Sequence, residues 1–185
     1  MLTMVNISKQ KLTKLQNEIL RLLFVKTGKP LNALRIAQIL VVSQPAVSKA
    51  LPELEKLGFV KIMKNKESGR FSIELNRDNH KVIWLKKVDN LKQLYESDFV
   101  QGLYDNFPGA TVILFGSFSS GEDTINSDID IAIIGVKKKN FDLSDFEKVL
   151  EREININYYG SWKLIHKNLK DNILNGIILK GAVDL

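Results

Sequence analysis

Two domains in tandem are what the chain predicts: a basic α+β domain, then an α/β domain built on a small mixed sheet flanked by helices. Three observations carry this. Charge is lopsided, since residues 1–78 hold 14 Lys and Arg against 6 Asp and Glu, a net of +8, whereas 79–185 hold 13 against 15, a net of −2. Helical spacing in the first part gives way to two alternating, hairpin-like runs near residues 59–75. Finally, Val112-Ile113-Leu114-Phe115-Gly116-Ser117 and Asp128-Ile129-Asp130-Ile131-Ala132-Ile133-Ile134 read as two strands around a ten-residue polar loop. The predicted layout is a first domain over 1–78, a connecting helical segment over 79–107 that also belongs to the second domain, and that domain itself over 108–185.

Composition is compatible with this plan. With 185 residues, 44% hydrophobic and 26% charged, the chain is long enough for one domain or two small ones and too apolar for disorder to be the default. It contains no cysteine, which excludes disulfides and thiolate zinc sites and suits a reducing compartment. The apolar run from Ile19 to Val25 is broken by Arg21, and nothing approaches the ~18 uninterrupted apolar residues of a membrane helix. A cytoplasmic location is therefore expected.

In the first domain, Leu12, Leu15, Ile19, Leu22 and Leu23 fall at helical spacing, and Gly28 with Pro30 ends that helix. A second short helix carries Leu34, Ile36, Ala37, Ile39 and Leu40. Ser43 is placed to cap a third, with Pro45 in its first turn, Val47, Leu51, Leu54 and Leu57 on one face and Gly58 at its end. Two alternating runs, 59–63 and 70–75, follow with a turn-prone stretch between them. One residue disturbs the pattern: Pro52 inside the third helix removes a backbone bond at a cost of about 3 kcal/mol, which predicts a bend or a shortened helix.

Helix, helix, turn, helix, hairpin is the order of a winged helix-turn-helix. The segments Ala37-Gln38-Ile39-Leu40, Gln44-Pro45-Ala46-Val47-Ser48-Lys49 and Leu54-Glu55-Lys56-Leu57-Gly58-Phe59-Val60 resemble the small prokaryotic winged-helix regulators. That resemblance implies a third helix lying in a DNA major groove, with Gln44, Ser48 and Lys49 reaching bases or phosphates and Lys64, Lys66 and Arg70 of the hairpin touching phosphates. Such regulators often dimerise, so a homodimer is among the expected states.

Over 79–107, Trp84, Leu85, Val88, Leu91, Leu94, Tyr95, Phe99 and Leu103 keep a mainly helical period interrupted near Glu96-Ser97-Asp98. They predict core-facing helices, with Ser97 capping the second. Beyond the Asp-x-Asp strand, residues 137–139 form a basic loop, Asp142 or Ser144 can start a helix, 153–158 alternate as a strand, and 162–170 and 171–179 read as helical. His166 reads as an exposed helix residue.

The two aspartates carry the chemistry. A period of two puts Asp128 and Asp130 on one face, where like charges repel unless a cation sits between them. Oxygen ligands suit Mg²⁺ or Mn²⁺. Gly116 lets a ligand approach the backbone, and the Ser117 hydroxyl with the following N–H groups can cradle phosphate. Metal and phosphate together indicate a nucleotide. Ser127 reads equally as a turn residue, and Glu122 and Asp123 equally as solvated loop acids.

Leu114-Phe115-Gly116-Ser117, then Gly121-Glu122-Asp123, then Ser127-Asp128-Ile129-Asp130-Ile131-Ala132 resemble the signature of the nucleotidyltransferase superfamily that includes DNA polymerase β, in the short form of the minimal nucleotidyltransferases of bacteria and archaea. The resemblance implies a nucleoside triphosphate substrate, Mg²⁺ (or Mn²⁺) on Asp128 and Asp130, phosphate on Gly116, Ser117 and Ser127, and a third acid from a neighbouring strand. That strand offers Glu153, Asn155 and Asn157 on one face and no Asp, so Glu153 is the one candidate for the third ligand. Two functions follow: an enzyme moving a nucleoside monophosphate to an acceptor hydroxyl, joined to a DNA-binding module, or a DNA-binding regulator whose second domain senses nucleotide without turnover. An antitoxin-like member would instead modify a protein acceptor.

Overall fold

The computed structural model describes residues 12–64 and 71–183. They fall into two compact units that divide between Asn76 and Arg77.

The first unit is a winged helix-turn-helix. Helix α1 (Lys14–Val25) starts on a reciprocal cap in which Gln16 N donates to Thr13 Oγ1 at 3.2 Å and Thr13 N donates to Gln16 Oε1 at 2.8 Å. Asn32 caps α2 (Ala33–Leu40), and Ser43 Oγ accepts from Ala46 N at 3.3 Å to cap α3 (Gln44–Lys56). Helix α3 runs through Pro52 without interruption. Its buried residues lie on both sides of the proline, Val47, Ala50 and Leu51 before it and Leu54 after it. Burying four side chains against α1 and α2 outweighs one lost backbone bond, because each large apolar side chain removed from water contributes about 1.5–3 kcal/mol.

Gly58, at φ +71°, turns the chain out of α3 into β1 (Val60–Lys64), which pairs antiparallel with β2 (Phe71–Leu75). Leu31 bridges to Ile73 through 3.1 and 2.7 Å backbone bonds, fastening the hairpin beneath the helices. Ile19, Leu23, Ile36, Val47, Leu54 and Ile73 form the centre of this core, each at most 1% exposed.

The second unit is a mixed four-stranded sheet of order β5-β4-β3-β6, with β4 and β5 parallel and the other neighbours antiparallel. Its strands are β3 (Thr111–Phe115), β4 (Ile129–Ile134), β5 (Ile154–Tyr159) and β6 (Ile177–Lys180). Alternation divides their side chains between two cores. Val112, Leu114, Ile129, Ile131 and Ile133 face Leu94, Phe99, Leu103 and Phe107 of α4 (His80–Glu96), α5 (Phe99–Asn106) and the turn after it. Ile113, Phe115, Ala132 and Ile134 face Trp162, Ile165 and Ile173, the last from α8 (Lys167–Leu174), the helix that follows α7 (Ser144–Leu150) in the chain.

Four expectations for this unit are corrected. Residues 177–180 are not helical: they pair with β3 as the edge strand β6, and Gly176 makes the entry, since a Cβ there would collide with the Leu114 carbonyl oxygen. Of 162–170 only a single 3-10 turn and the start of α8 are helical, which leaves His166 exposed just ahead of that helix. Ser97 ends α4 rather than capping α5, its hydroxyl donating to Leu94 O at 3.1 Å. Helix α4 is rotated relative to its apolar pattern: Trp84, Val88 and Tyr95 are 65%, 66% and 53% exposed and Leu85 is also exposed, while Val82, Lys86, Asn90 and Leu94 face inward.

No helix among the described residues is long and apolar enough to cross a membrane.

Candidate active site

The bend between β3 and α6 (Gly116–Ser120) sets the geometry. Gly116 adopts φ +73°, and a Cβ added to it would stand 2.6 Å from Asp130 Oδ2, so the carboxylate rests directly on the glycine. Strand register produces this contact, because Phe115 pairs with Asp130 across the β3–β4 ladder. Bonds within α6 engage the neighbouring serines: Ser119 Oγ donates to Gly116 O at 2.7 Å and Ser120 Oγ to Ser117 O at 3.0 Å. The Ser117 hydroxyl, half-buried at the bend, has no protein partner among the described residues.

Asp128 stands just ahead of β4 and Asp130 within it, on the same face and both half-buried. Burial holds the Asp130 carboxyl above the ordinary carboxylate range, the charge of Asp128 adds to this, and a hydrogen bond from Asn155 opposes it. Asn155 lies opposite Asp130 in the parallel β4–β5 register, and its Nδ2 also donates to Asp128 Oδ2 at 3.0 Å. One amide is thus the only neutral bridge that the strand offers to two anions.

Glu153 is not brought into this group. It is exposed ahead of β5, where its carbonyl accepts from Ile129 N at 2.8 Å. Among the described residues no three acids or histidines are gathered in a way that could hold a metal. The place next to Asp130 belongs to Asn155, and Glu153 instead lines an open cleft of about 480 Å³ with Ser127, Asp128, Glu147, Glu151 and Arg152. Ser127 closes a turn: its Oγ accepts from Thr124 N at 3.0 Å and its N–H donates to Thr124 O at 3.0 Å.

Asp123 is no solvated loop acid. It is 0% exposed, with Lys86 Nζ at 2.6 Å and Asn90 Nδ2 at 2.7 Å from its Oδ1 and Arg152 Nη2 at 3.8 Å from its Oδ2. Glu122, next to it, is exposed as expected. The sequence signal for this cluster was faint: Val82, Lys86, Asn90 and Leu94 are spaced four apart, but two of the four are polar. Burial pulls the Lys86 ammonium below its ordinary value, with the Asp123 charge working against that shift.

In the first unit, Gln44, Ser48 and Lys49 are exposed together at the start of α3, and Lys64 is exposed at the end of β1. Lys66 and Arg70 lie outside the described residues.

A family model described as "Nucleotidyltransferase domain" matches residues 96–179. No curated protein matches the chain. Among solved structures, the chain is similar to a zinc-responsive MarR family member, Lactococcus lactis ZitR, at 26% identity and a TM-score of 0.41, over 59% of this chain and 72% of that one. It is also similar to the adhesin competence repressor AdcR from Streptococcus pyogenes, at 24% identity and a TM-score of 0.43, over 56% and 72%. The S. aureus MepR–DNA complex gives 20% identity and a TM-score of 0.39, over 51% and 77%. Scores this low carry no argument about this chain. The family match does, because it spans the Gly116 bend, both aspartates and Asn155 within one nucleotidyltransferase domain.

Proposed function

We propose that the chain is a nucleotidyltransferase joined to a DNA-binding module: it moves a nucleoside monophosphate from a nucleoside triphosphate to an acceptor hydroxyl, and residues 1–78 bind DNA. The observation that supports this most is the half-buried pair Asp128 and Asp130, the second of which rests on the Gly116 bend. The donor set fits Mg²⁺ or Mn²⁺: two carboxylates, one with its proton affinity raised by burial and by the charge of its neighbour, and an adjacent amide. Bound there, a divalent ion would neutralise charge on the phosphates during an in-line displacement.

The residues of the chain divide the remaining work. Gly116 leaves the room that a Cβ would fill, and the Ser117 hydroxyl is available to donate to a phosphate oxygen. Ser127 holds the loop ahead of Asp128 in its turn, and so serves the phosphate site through the backbone. In the transfer, the acceptor oxygen bonds to the α-phosphorus and the bond to pyrophosphate breaks. Asn155 can offer a neutral oxygen but cannot take the acceptor's proton, so the site is better suited to binding nucleotide than to rapid turnover. Labelled nucleoside triphosphates with Mg²⁺ and cell extract should yield a labelled acceptor, protein or small molecule, that disappears in the Asp128→Ala, Asp130→Ala double variant. No label from any of the four triphosphates would refute transfer.

Asn155 favours a second reading, a DNA-binding regulator whose second domain senses nucleotide. Gln44, Ser48, Lys49 and Lys64 supply the DNA face, with Lys66 and Arg70 next to it in sequence and a net charge of +8 over residues 1–78. This reading predicts DNA affinity that falls steeply with salt and changes when nucleotide is added. A second copy of the chain is a natural partner for a half-site reader.

A further inference from the structure

The cluster around Asp123 is not explained by nucleotide chemistry, since it is almost wholly buried. Lys86 is 1% exposed, Asn90 2%, Arg152 6% and Asp123 0%. A hydrophobic core rarely encloses four such groups without a reason, because each must be hydrogen-bonded or paired to be tolerated. What they have in common is where they are attached. Asn90 Nδ2 donates to Phe118 O at 2.9 Å as well as to Asp123, so α4 grips α6, the element that begins with Gly116 and Ser117. Lys86 holds Asp123 itself, which lies in the loop leading to Asp128. Arg152, on the far side of the carboxylate, precedes Glu153, whose carbonyl accepts from Ile129 N between the two aspartates.

Backbone contact reinforces the grip. Gly121, at φ +83°, lies so close to α4 that a Cβ would stand 2.5 Å from Ile83 O and 2.9 Å from Lys87 N. The loop therefore touches the helix backbone directly, one residue pair ahead of Asp123.

We infer that Asp123 is the positioning residue of the site, one buried carboxylate on which the phosphate bend, the metal-facing aspartates and the start of the Asn155 strand are jointly fixed. It touches no substrate. It acts through residues 116–130, holding Asp128 and Asp130 at the spacing a divalent ion requires, since ligand geometry decides metal affinity. The inference rests on the proposed function for its purpose, but its geometry can be tested without nucleotide.

The test uses the full chain carrying Lys86→Met and Asp123→Asn together, which removes one buried charge of each sign and leaves Arg152 with the carbonyl and the charge of Glu151. Three measurements are compared with wild type: thermal melting, amide hydrogen exchange and calorimetric titration with Mn²⁺. We expect melting within a few degrees of wild type, exchange at the amides of Glu122, Ser127 and Ile129 faster by about tenfold, unchanged exchange at Ile113 and Ile131, and Mn²⁺ affinity lower by about tenfold. A merely stabilising cluster would raise exchange everywhere in step with melting. Wild-type exchange at those three amides in a folded variant would overturn the inference. Asn90→Leu, which cuts the bond to Phe118 O and leaves the Lys86–Asp123 pair, is read in the same way and decides the matter if the double variant does not fold. Absence of Mn²⁺ binding by the wild type would count against the proposed function instead, and exchange would still decide the positioning.

Discussion

Asp123 and the pair Asp128–Asp130 belong to one loop-and-strand stretch, yet they are opposite kinds of site. Asp123 is fully buried with positive charge on both sides: Lys86 and Asn90 donate to its Oδ1, and Arg152 stands 3.8 Å from its Oδ2, which accepts no hydrogen bond among the described residues. The pair is half-buried, with two anions facing one amide, and neither carboxylate makes an ion pair among the described residues. A carboxylate paired with cations within the chain holds structure together, whereas a pair of like charges beside an open bend is the arrangement on which the proposed divalent ion would act.

The largest effect that would test this contrast is on stability at Asp123. Asp123→Leu leaves Lys86 and Arg152 buried around an apolar side chain and should cost about 3–5 kcal/mol in urea unfolding. Removing the Asp128 and Asp130 carboxylates together should cost close to nothing without metal. Equal losses at both places would dissolve the distinction.

Next comes the missing third acid. Asn155→Asp places another carboxylate opposite Asp130 and removes the donor to Asp128, so the metal-free protein should melt several degrees lower and Mn²⁺ should raise its melting temperature more than it raises that of wild type. A variant that melts lower but gains nothing from Mn²⁺ would mean that Asn155 faces no metal.

A smaller effect is expected in the pH dependence. A carboxyl whose proton affinity is higher folded than unfolded adds stability when protonated, and that contribution is lost as pH rises. Asp130 is such a group, so its share of metal-free stability should decline from about pH 4 upward, through its raised value. Asp142 is shifted the other way by hydrogen bonds from Ser144 N and Oγ, so the Asp130 share must be read as the difference between wild type and Asp130→Asn. A flat difference curve would show that burial and the Asp128 charge do not hold the Asp130 carboxyl above its ordinary range.

The smallest effect concerns α4, which brings Lys86 and Asn90 inside. Trp84→Ser, despite removing the largest apolar side chain of the helix, should change stability by no more than about 0.5 kcal/mol. Val82→Ala, a smaller change at an inward position, should cost about 1–3 kcal/mol.

Helix α4 also shows where pattern reading failed. Its apolar residues lie on more than one face, so periodicity could not choose among them. The choice was made by Asp123, a residue 37 positions away from Lys86 whose carboxylate needed a cation and a donor. Ser97 and β6 were misread for related reasons. A serine between two helices can end one or begin the other, and Ile177–Lys180 is too short to show a period before β3 supplies hydrogen bonds. In the first unit, by contrast, Ser43 caps α3 and Gly58 turns the chain out of it where local spacing predicted.

By itself the sequence determined the helix-helix-turn-helix-hairpin order, the two strands around the Gly116 bend and the shared face of Asp128 and Asp130, because each of these depends on spacing within a few residues. Only the tertiary structure decided that Asp123 lies inside, that α4 turns its lysine inward and its tryptophan outward, and that Asn155 rather than Glu153 stands opposite Asp130. Those outcomes depend on strand register and on charges that meet from distant parts of the chain, and no local period records them.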